Sequence, residues 1–118
     1  MCVRAMENWG CITFARHVLL TPVEHSTAEL MQRNARTVAH EVSHMWFGNV
    51  VTMVWWDDIW LNEGFARYAE HHILHELRPA YKCWDKYNSK VFEVAIKADS
   101  KPELTHPVQL VVPSADQL

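Results

Sequence analysis

The chain has 118 residues, a formal net charge of −3 and a 49% hydrophobic content. That is enough for one domain burying about two-thirds of its unfolded surface, and it leaves no room for a second. No basic patch or base-stacking module speaks for a nucleic-acid partner, no low-complexity stretch speaks for disorder, and no apolar run approaches the ~20 residues of a membrane span.

Three cysteines, Cys2, Cys11 and Cys83, are odd in number and widely spaced, which fits a reducing compartment better than a disulfide framework. The first ten residues lack the charged and apolar regions of a signal peptide. The cysteine usage favours a cytoplasmic address.

Cys11 to Leu20 is rich in β-branched and aromatic residues with partial alternation, which predicts a strand ending at Thr21-Pro22, with Glu7 on an extended segment before it. Ser26 or Thr27 is placed to cap a first long helix, and Glu29 favours its positive end. Met31, Ala35, Val38, Val42 and Met45 step by four, three, four and three, predicting a stripe that faces a core. His40 and His44 of His40-Glu41-Val42-Ser43-His44 fall on roughly the opposite side. Two histidines one helical turn apart reach a single ion from one face, and Glu41 between them is placed beside that ion as a general base.

Gly48-Asn49 ends this helix, an apolar run follows from Val50 to Trp56, and Asp57 or Asp58 opens a second helix that must stop by Arg78, because Pro79 restricts its predecessor. After eighteen intervening residues from His44, this second helix carries Glu63. Two imidazoles and one carboxylate make a three-ligand zinc site with the fourth position open for water. A third helix is predicted from Ala80, presenting Trp84, Tyr87, Val91, Val94 and Ala98 until Lys101-Pro102 breaks it, with an irregular remainder. His71, His72 and His75 read as a solvated helix face in preference to a second metal pair, and Trp46, Trp55, Trp56 and Trp60 as core packing in preference to a pocket lining.

Four segments together carry a family resemblance: Ala5-Met6-Glu7-Asn8-Trp9-Gly10, His40 to His44, Met45-Trp46-Phe47-Gly48-Asn49, and Trp60-Leu61-Asn62-Glu63-Gly64-Phe65-Ala66. They resemble the M1 zinc aminopeptidases, gluzincins with a thermolysin-like catalytic domain, in order and spacing over nearly the whole chain. The tail at His106-Pro107-Val108-Gln109 and Ser114-Ala115-Asp116 is similar to that of the cytosolic puromycin-sensitive branch.

The resemblance implies an α+β, mostly helical fold, an edge strand followed by three helices, with residues 1–118 forming part of an M1-type catalytic domain. It also implies one zinc on His40, His44 and Glu63, with Glu41 assisting attack by zinc-bound water. Ala5, Met6, Glu7 and Asn8 would form the substrate-binding strand, Glu7 holding the free α-ammonium of a peptide. Glu70, seven residues past Glu63, is similar to a carboxylate that orients a zinc-bound histidine. Arg4 stands where the family has glycine, so a bulky cation is expected to crowd the cleft.

The family's transition-state tyrosine and its N-terminal β and C-terminal helical domains have no counterpart in these residues. A zinc-binding but catalytically silent fragment is therefore the alternative to an active aminopeptidase core. An endopeptidase of the thermolysin type is disfavoured by Glu7, while epoxide hydrolysis, which occurs in the family, is compatible with the same zinc motif.

Overall fold

The computed structural model describes residues 4–117. An antiparallel pair, β1 (Ala5–Met6) and β2 (Thr13–Phe14), places Ala5 opposite Phe14 and Met6 opposite Thr13. Gly10 supplies the positive φ, 67°, that the connecting turn needs, and Ala15 N–H donates to Arg4 O at 2.7 Å, extending the ladder by one step.

The strand expected over 11–20 stops there. Residues 16–19 instead wind into a one-turn helix, α1 (Arg16–Leu19). Among the described residues no strand lies in position to pair with that segment, so its backbone groups satisfy one another locally, with Val18 N–H bonding Ala15 O and Leu20 N–H bonding Arg16 O.

Helix α2 (Ala28–His44) begins at Thr27, whose hydroxyl accepts from Leu30 N–H at 3.2 Å, so the expected cap is formed. Asn34 ties α1 to it, its amide donating to Thr21 Oγ1 at 2.8 Å. Past His44 the chain makes a wide turn through Gly48, with φ 124°, before a short 3₁₀ turn, Trp56–Asp58, leads into α3 (Ile59–Leu77).

Neither Asp57 nor Asp58 caps α3 with its side chain. The 3₁₀ turn carries both carboxylates toward the C-terminal segment, where Asp57 accepts from Val112 N–H at 2.6 Å and Asp58 from Gln109 Nε2 at 3.0 Å. Trp55 Nε1–H donates to Val112 O in the same place. The tail is thus pinned to the start of α3.

The third helical stretch is divided. After a 3₁₀ turn at Pro79–Tyr81 and a left-handed Lys82 come α4 (Cys83–Tyr87), a π-helical segment (Asn88–Phe92) and α5 (Glu93–Asp99). Ser89 Oγ donates back to Asp85 O at 3.2 Å, the type of local bond that competes with the helical ladder.

The α2–α3 seam organises the molecule. Its apolar part joins Ala39, Leu74 and Cys83, with Ala35, Ile73 and Tyr81 packed against them. Next to it His71 is 0% exposed, its Nδ1–H donating to Arg67 O at 2.8 Å and its ring packed edge-on to Tyr87 and tilted against Trp84. His71 is a core residue and not part of a solvated face; His72 and His75 are exposed as expected.

Two further expectations are corrected. The stripe from Met31 to Met45 does not face a filled core: Met31, Ala35, Val38 and Val42 line an open apolar groove of about 660 Å³ together with Val18, Leu74 and Leu77. The more deeply buried positions of α2 are Asn34, Ala39, Glu41, Ser43 and His44, because the polar side of the helix is the one turned toward α3. Likewise Trp46, Trp55 and Trp60 are exposed, and Trp56 lines the cleft at the polar end of the seam.

Candidate metal centre

One turn of α2 and one turn of α3 face each other where the seam becomes polar. His40 Nε2 lies 3.0 Å from His44 Nε2 and 3.2 Å from Glu63 Oε2, and His44 Nε2 lies 3.8 Å from Glu63 Oε1. The imidazoles meet edge to face, with an interplanar angle of 88°. Tetrahedral ligands at the ~2.0–2.1 Å typical of zinc are about 3.3 Å from one another, which the three spacings bracket.

The remaining ring nitrogens fix the tautomers. His44 Nδ1–H donates to Phe47 O at 2.9 Å. His40 Nδ1 lies 3.0 Å from Glu70 Oε2, an ion-pair contact off the line of a hydrogen bond, and Glu70 is 1% exposed. With both Nδ1 atoms facing oxygen, both Nε2 lone pairs point into the same small space. Two lone pairs at 3.0 Å repel unless a cation stands between them. A proton on His40 can fill that role, and so can a metal ion, so the donor set fits zinc both in chemistry and in spacing.

The charges agree with this. Burial works to lower the His40 pKa, but the hydrogen bond to Glu63 and the adjacent charges of Glu70 and Glu63 outweigh it and raise it to about 9. The same hydrogen bond to His40 holds the Glu63 carboxyl below its usual range. For Glu70 burial acts upward, and the His40 and Arg67 contacts prevail, holding it low; Arg67 Nη1 donates to Glu70 Oε1 at 2.9 Å.

A cleft of about 720 Å³ opens from the three ligand atoms, lined by Ala5, Met6, Glu7 and Asn8 on one side and by Glu41 and Trp56 among others on the remaining walls. Glu41 is buried, and burial pushes its carboxyl upward against the downward pull of the His40 charge. Glu7, Glu41 and His44 present atoms within 4.8 Å of one another, and Glu7 Oε1 lies 4.0 Å from His44 Nδ1, so Glu7 stands beside the candidate base. The sequence-predicted residues Glu7, His40, Glu41, His44, Glu63 and Glu70 are therefore gathered at one locus. Asn8 turns partly back on its own hairpin, its amide donating to Thr13 Oγ1 at 3.4 Å.

Arg4 does not enter the cleft. Its side chain lines a separate cavity behind His40.

Three positioning groups were not assigned from the sequence. Asn62 Nδ2 donates to Glu7 Oε1 at 3.2 Å, Asn49 Nδ2 donates to Glu7 O at 2.9 Å, and Phe47 supplies the carbonyl that orients His44. Asn49, Asn62 and Phe47 all lie inside the motifs that carry the resemblance, but their partners are fixed only by tertiary structure.

Residues 2–118 match the peptidase family M1 domain, and the chain belongs to that family. It is 41% identical over 114 residues to "Aminopeptidase 2, mitochondrial" of Saccharomyces cerevisiae, covering 97% of this chain and 12% of that protein. It is 44% identical over 105 residues to "Leucyl aminopeptidase" of Saccharolobus solfataricus, covering 89% and 13%. With "Aminopeptidase M1" of Arabidopsis thaliana it shares 40% over 114 residues, covering 97% and 13%. The chain thus spans about an eighth of the length of the curated relatives it matches. No helix among the described residues is long and apolar enough to cross a membrane.

Proposed function

We propose that these residues form the metal-binding core of a zinc aminopeptidase, part of an M1-type catalytic domain. The observation that carries the reading is the position of Glu7, held by Asn62 in the wall of the cleft that His40, Glu41, His44 and Glu63 also line. An anion fixed beside the reacting centre by a neutral amide is suited to receive a free α-ammonium. An endopeptidase has no need of it.

Zinc held by His40, His44 and Glu63 would supply Lewis-acid polarisation of a substrate carbonyl and would acidify a water molecule. Glu41, buried and with its carboxyl raised, is suited to take a proton from the attacking water near neutral pH and to deliver it to the departing amine. Glu70 and the Phe47 carbonyl hold the two imidazoles in the tautomers that leave Nε2 free. Glu7 orients the substrate by its first residue, so one N-terminal residue leaves per cycle. The substrates are peptides with a free N-terminus. The unpaired Cys11 and Cys83 support a reducing compartment such as the cytoplasm; Cys2 lies outside the described residues.

The test is made in the longest protein that contains this chain. Aminoacyl fluorogenic substrates and their N-acetylated forms are compared before and after zinc removal. Turnover confined to free amines, lost on chelation and restored by zinc, is the expected result; equal turnover of both substrate forms would overturn the reading.

A further inference from the structure

Behind His40, on the side away from the cleft, a cavity of about 190 Å³ is lined by Arg4, Arg33, Arg36, Thr37, Arg67 and Glu70 as well as His40. Four guanidiniums surround one carboxylate. That carboxylate is already engaged, by Arg67 at 2.9 Å and by His40 at 3.0 Å. Among the described residues Arg4, Arg33 and Arg36 have no carboxylate within 4.0 Å. Arg33 and Arg36 stand three apart on α2, where like charges share a face and repel. Arg4 is only partly buried as a residue, but its Nη2 is shielded from solvent with no hydrogen-bond partner among the described residues. A buried charged donor left unpaired is costly, and an ion that satisfies it is one of the few explanations available.

We infer that this cavity is a binding site for a small multiply charged oxyanion of the phosphate or sulfate type, held by Arg4, Arg33 and Arg36. Three observations favour that occupant. The volume lies below the ~300–1,000 Å³ of sites for drug-sized molecules, so an ion fits and a nucleotide does not. A tetrahedral oxyanion offers several oxygens to forked donors that converge from different directions, as guanidiniums on α2 and on the segment before β1 do. A single carboxylate would neutralise only part of the excess charge. Burial, followed by the charges of Arg33 and Arg36, lowers the Arg4 pKa from its ordinary value, and a bound anion would reverse the effect of those charges.

The consequence reaches the active cleft through the backbone. Arg4 directly precedes β1, its carbonyl accepts from Ala15 N–H, and Glu7 lies three residues on. An anion bridging Arg4 to Arg33 and Arg36 clamps the start of β1 onto α2, and so steadies the strand that carries Glu7.

The experiment is isothermal titration of the full chain with sodium sulfate at constant ionic strength, with chloride and acetate as comparison anions. Sulfate leaves the metal in solution, which phosphate does not. One-to-one saturable binding of sulfate is expected, at least tenfold tighter than acetate, with Arg4→Gly and Arg33→Gln each weakening it at least tenfold and Arg78→Gln, outside the cavity, leaving it unchanged. Circular dichroism checks that each variant folds; if Arg4→Gly does not, the variant at exposed Arg33 decides the matter. Hydrogen exchange of the Ala15 amide should slow when sulfate binds. Sulfate heats no different from those of chloride, acetate binding as tightly as sulfate, or undiminished binding in the folded arginine variants would overturn the proposal.

Discussion

Asn62 occupies the space that a side chain on Gly48 would need: a Cβ built on Gly48 would fall 1.8 Å from Asn62 Oδ1. The same Asn62 donates its amide to Glu7. Glycine at 48 is thus required twice, once for the φ of 124° and once to let α3 bring Asn62 against Glu7. Gly48→Ala should destabilise the fold by about 1–3 kcal/mol through backbone strain. In an active parent it should also raise KM more than it lowers kcat, since Glu7 loses its orienting partner. Denaturant midpoints and steady-state kinetics check both parts; an unchanged midpoint would mean that Asn62 has another resting place.

Zinc binding should release a proton. His40 is held at about 9 in the metal-free protein, against an ordinary 6.5, so it is charged at pH 7 and its Nε2 must give up a proton to a metal. For stability without metal the sign is that of a raised pKa: the contribution is complete below about 6.5 and is lost as pH climbs through about 9. Zinc affinity should therefore rise about tenfold per pH unit between about 7 and about 9. Titration in buffers of different ionisation enthalpy measures the proton count. Zero released protons would show that His40 is neutral beforehand or is not a ligand, and unchanged zinc stoichiometry in His40→Ala, His44→Ala would exclude the site altogether.

Glu41→Gln preserves shape and hydrogen bonding while removing the proton acceptor. Zinc content should stay at the parental level, while kcat in an active parent falls by about 10²–10⁴. Metal analysis and turnover on one preparation decide it. Activity within a few-fold of the parent would mean that another group takes the proton.

What was legible in the sequence was the part written in short-range helical geometry. Spacings of three and four put His40, Glu41 and His44 on one turn and Thr27 was identifiable as a cap by its chemistry, whereas α2 ends at His44, four residues before the Gly48 expected to stop it. What was not legible depends on which faces meet. Asn62 and Glu7 are 55 positions apart, and nothing local announces that pairing. The stripe on α2 has flawless periodicity yet lines an open groove, because hydrophobic pattern specifies a face and not its partner. His71 looked solvated beside two other histidines, but Trp84 and Tyr87 arrive from α4 to cover it. The strand expected over 11–20 stops after Phe14 because propensity cannot supply a pairing edge beyond it.

Glu7→Ala in an active parent should reduce kcat/KM for free-amine substrates by about tenfold or more, a loss typical of a charge-assisted hydrogen bond worth ~1.5–3 kcal/mol, while zinc affinity changes little. Glu7→Asp should recover part of that loss, which a merely structural role would not predict. Substrates that are N-acetylated report on the anchor directly. If they respond to Glu7→Ala as strongly as free amines do, Glu7 supports the strand and binds no ammonium.

The 118 residues expressed alone should bind zinc but turn over aminoacyl substrates weakly or not at all. Among the described residues no tyrosine lines the metal cleft: Tyr81 faces the apolar groove, Tyr68 lies along His72 and Trp84, and Tyr87 packs on His71. The donor that the family resemblance places opposite a developing oxyanion is thus not supplied by any of the three, and loss of one such donor typically costs about 10²–10³ in rate. Between α2 and α3 Trp46, Val50, Val51 and Val54 are exposed, apolar surface of the kind that marks an interface and, uncovered, favours aggregation. The purified, zinc-loaded chain is assayed on a panel of aminoacyl fluorogenic substrates beside its Glu41→Gln variant, which reveals contaminating peptidases. Robust turnover abolished by that substitution would show that this cleft is sufficient for catalysis, and that the oxyanion is stabilised by the metal and backbone without a phenol.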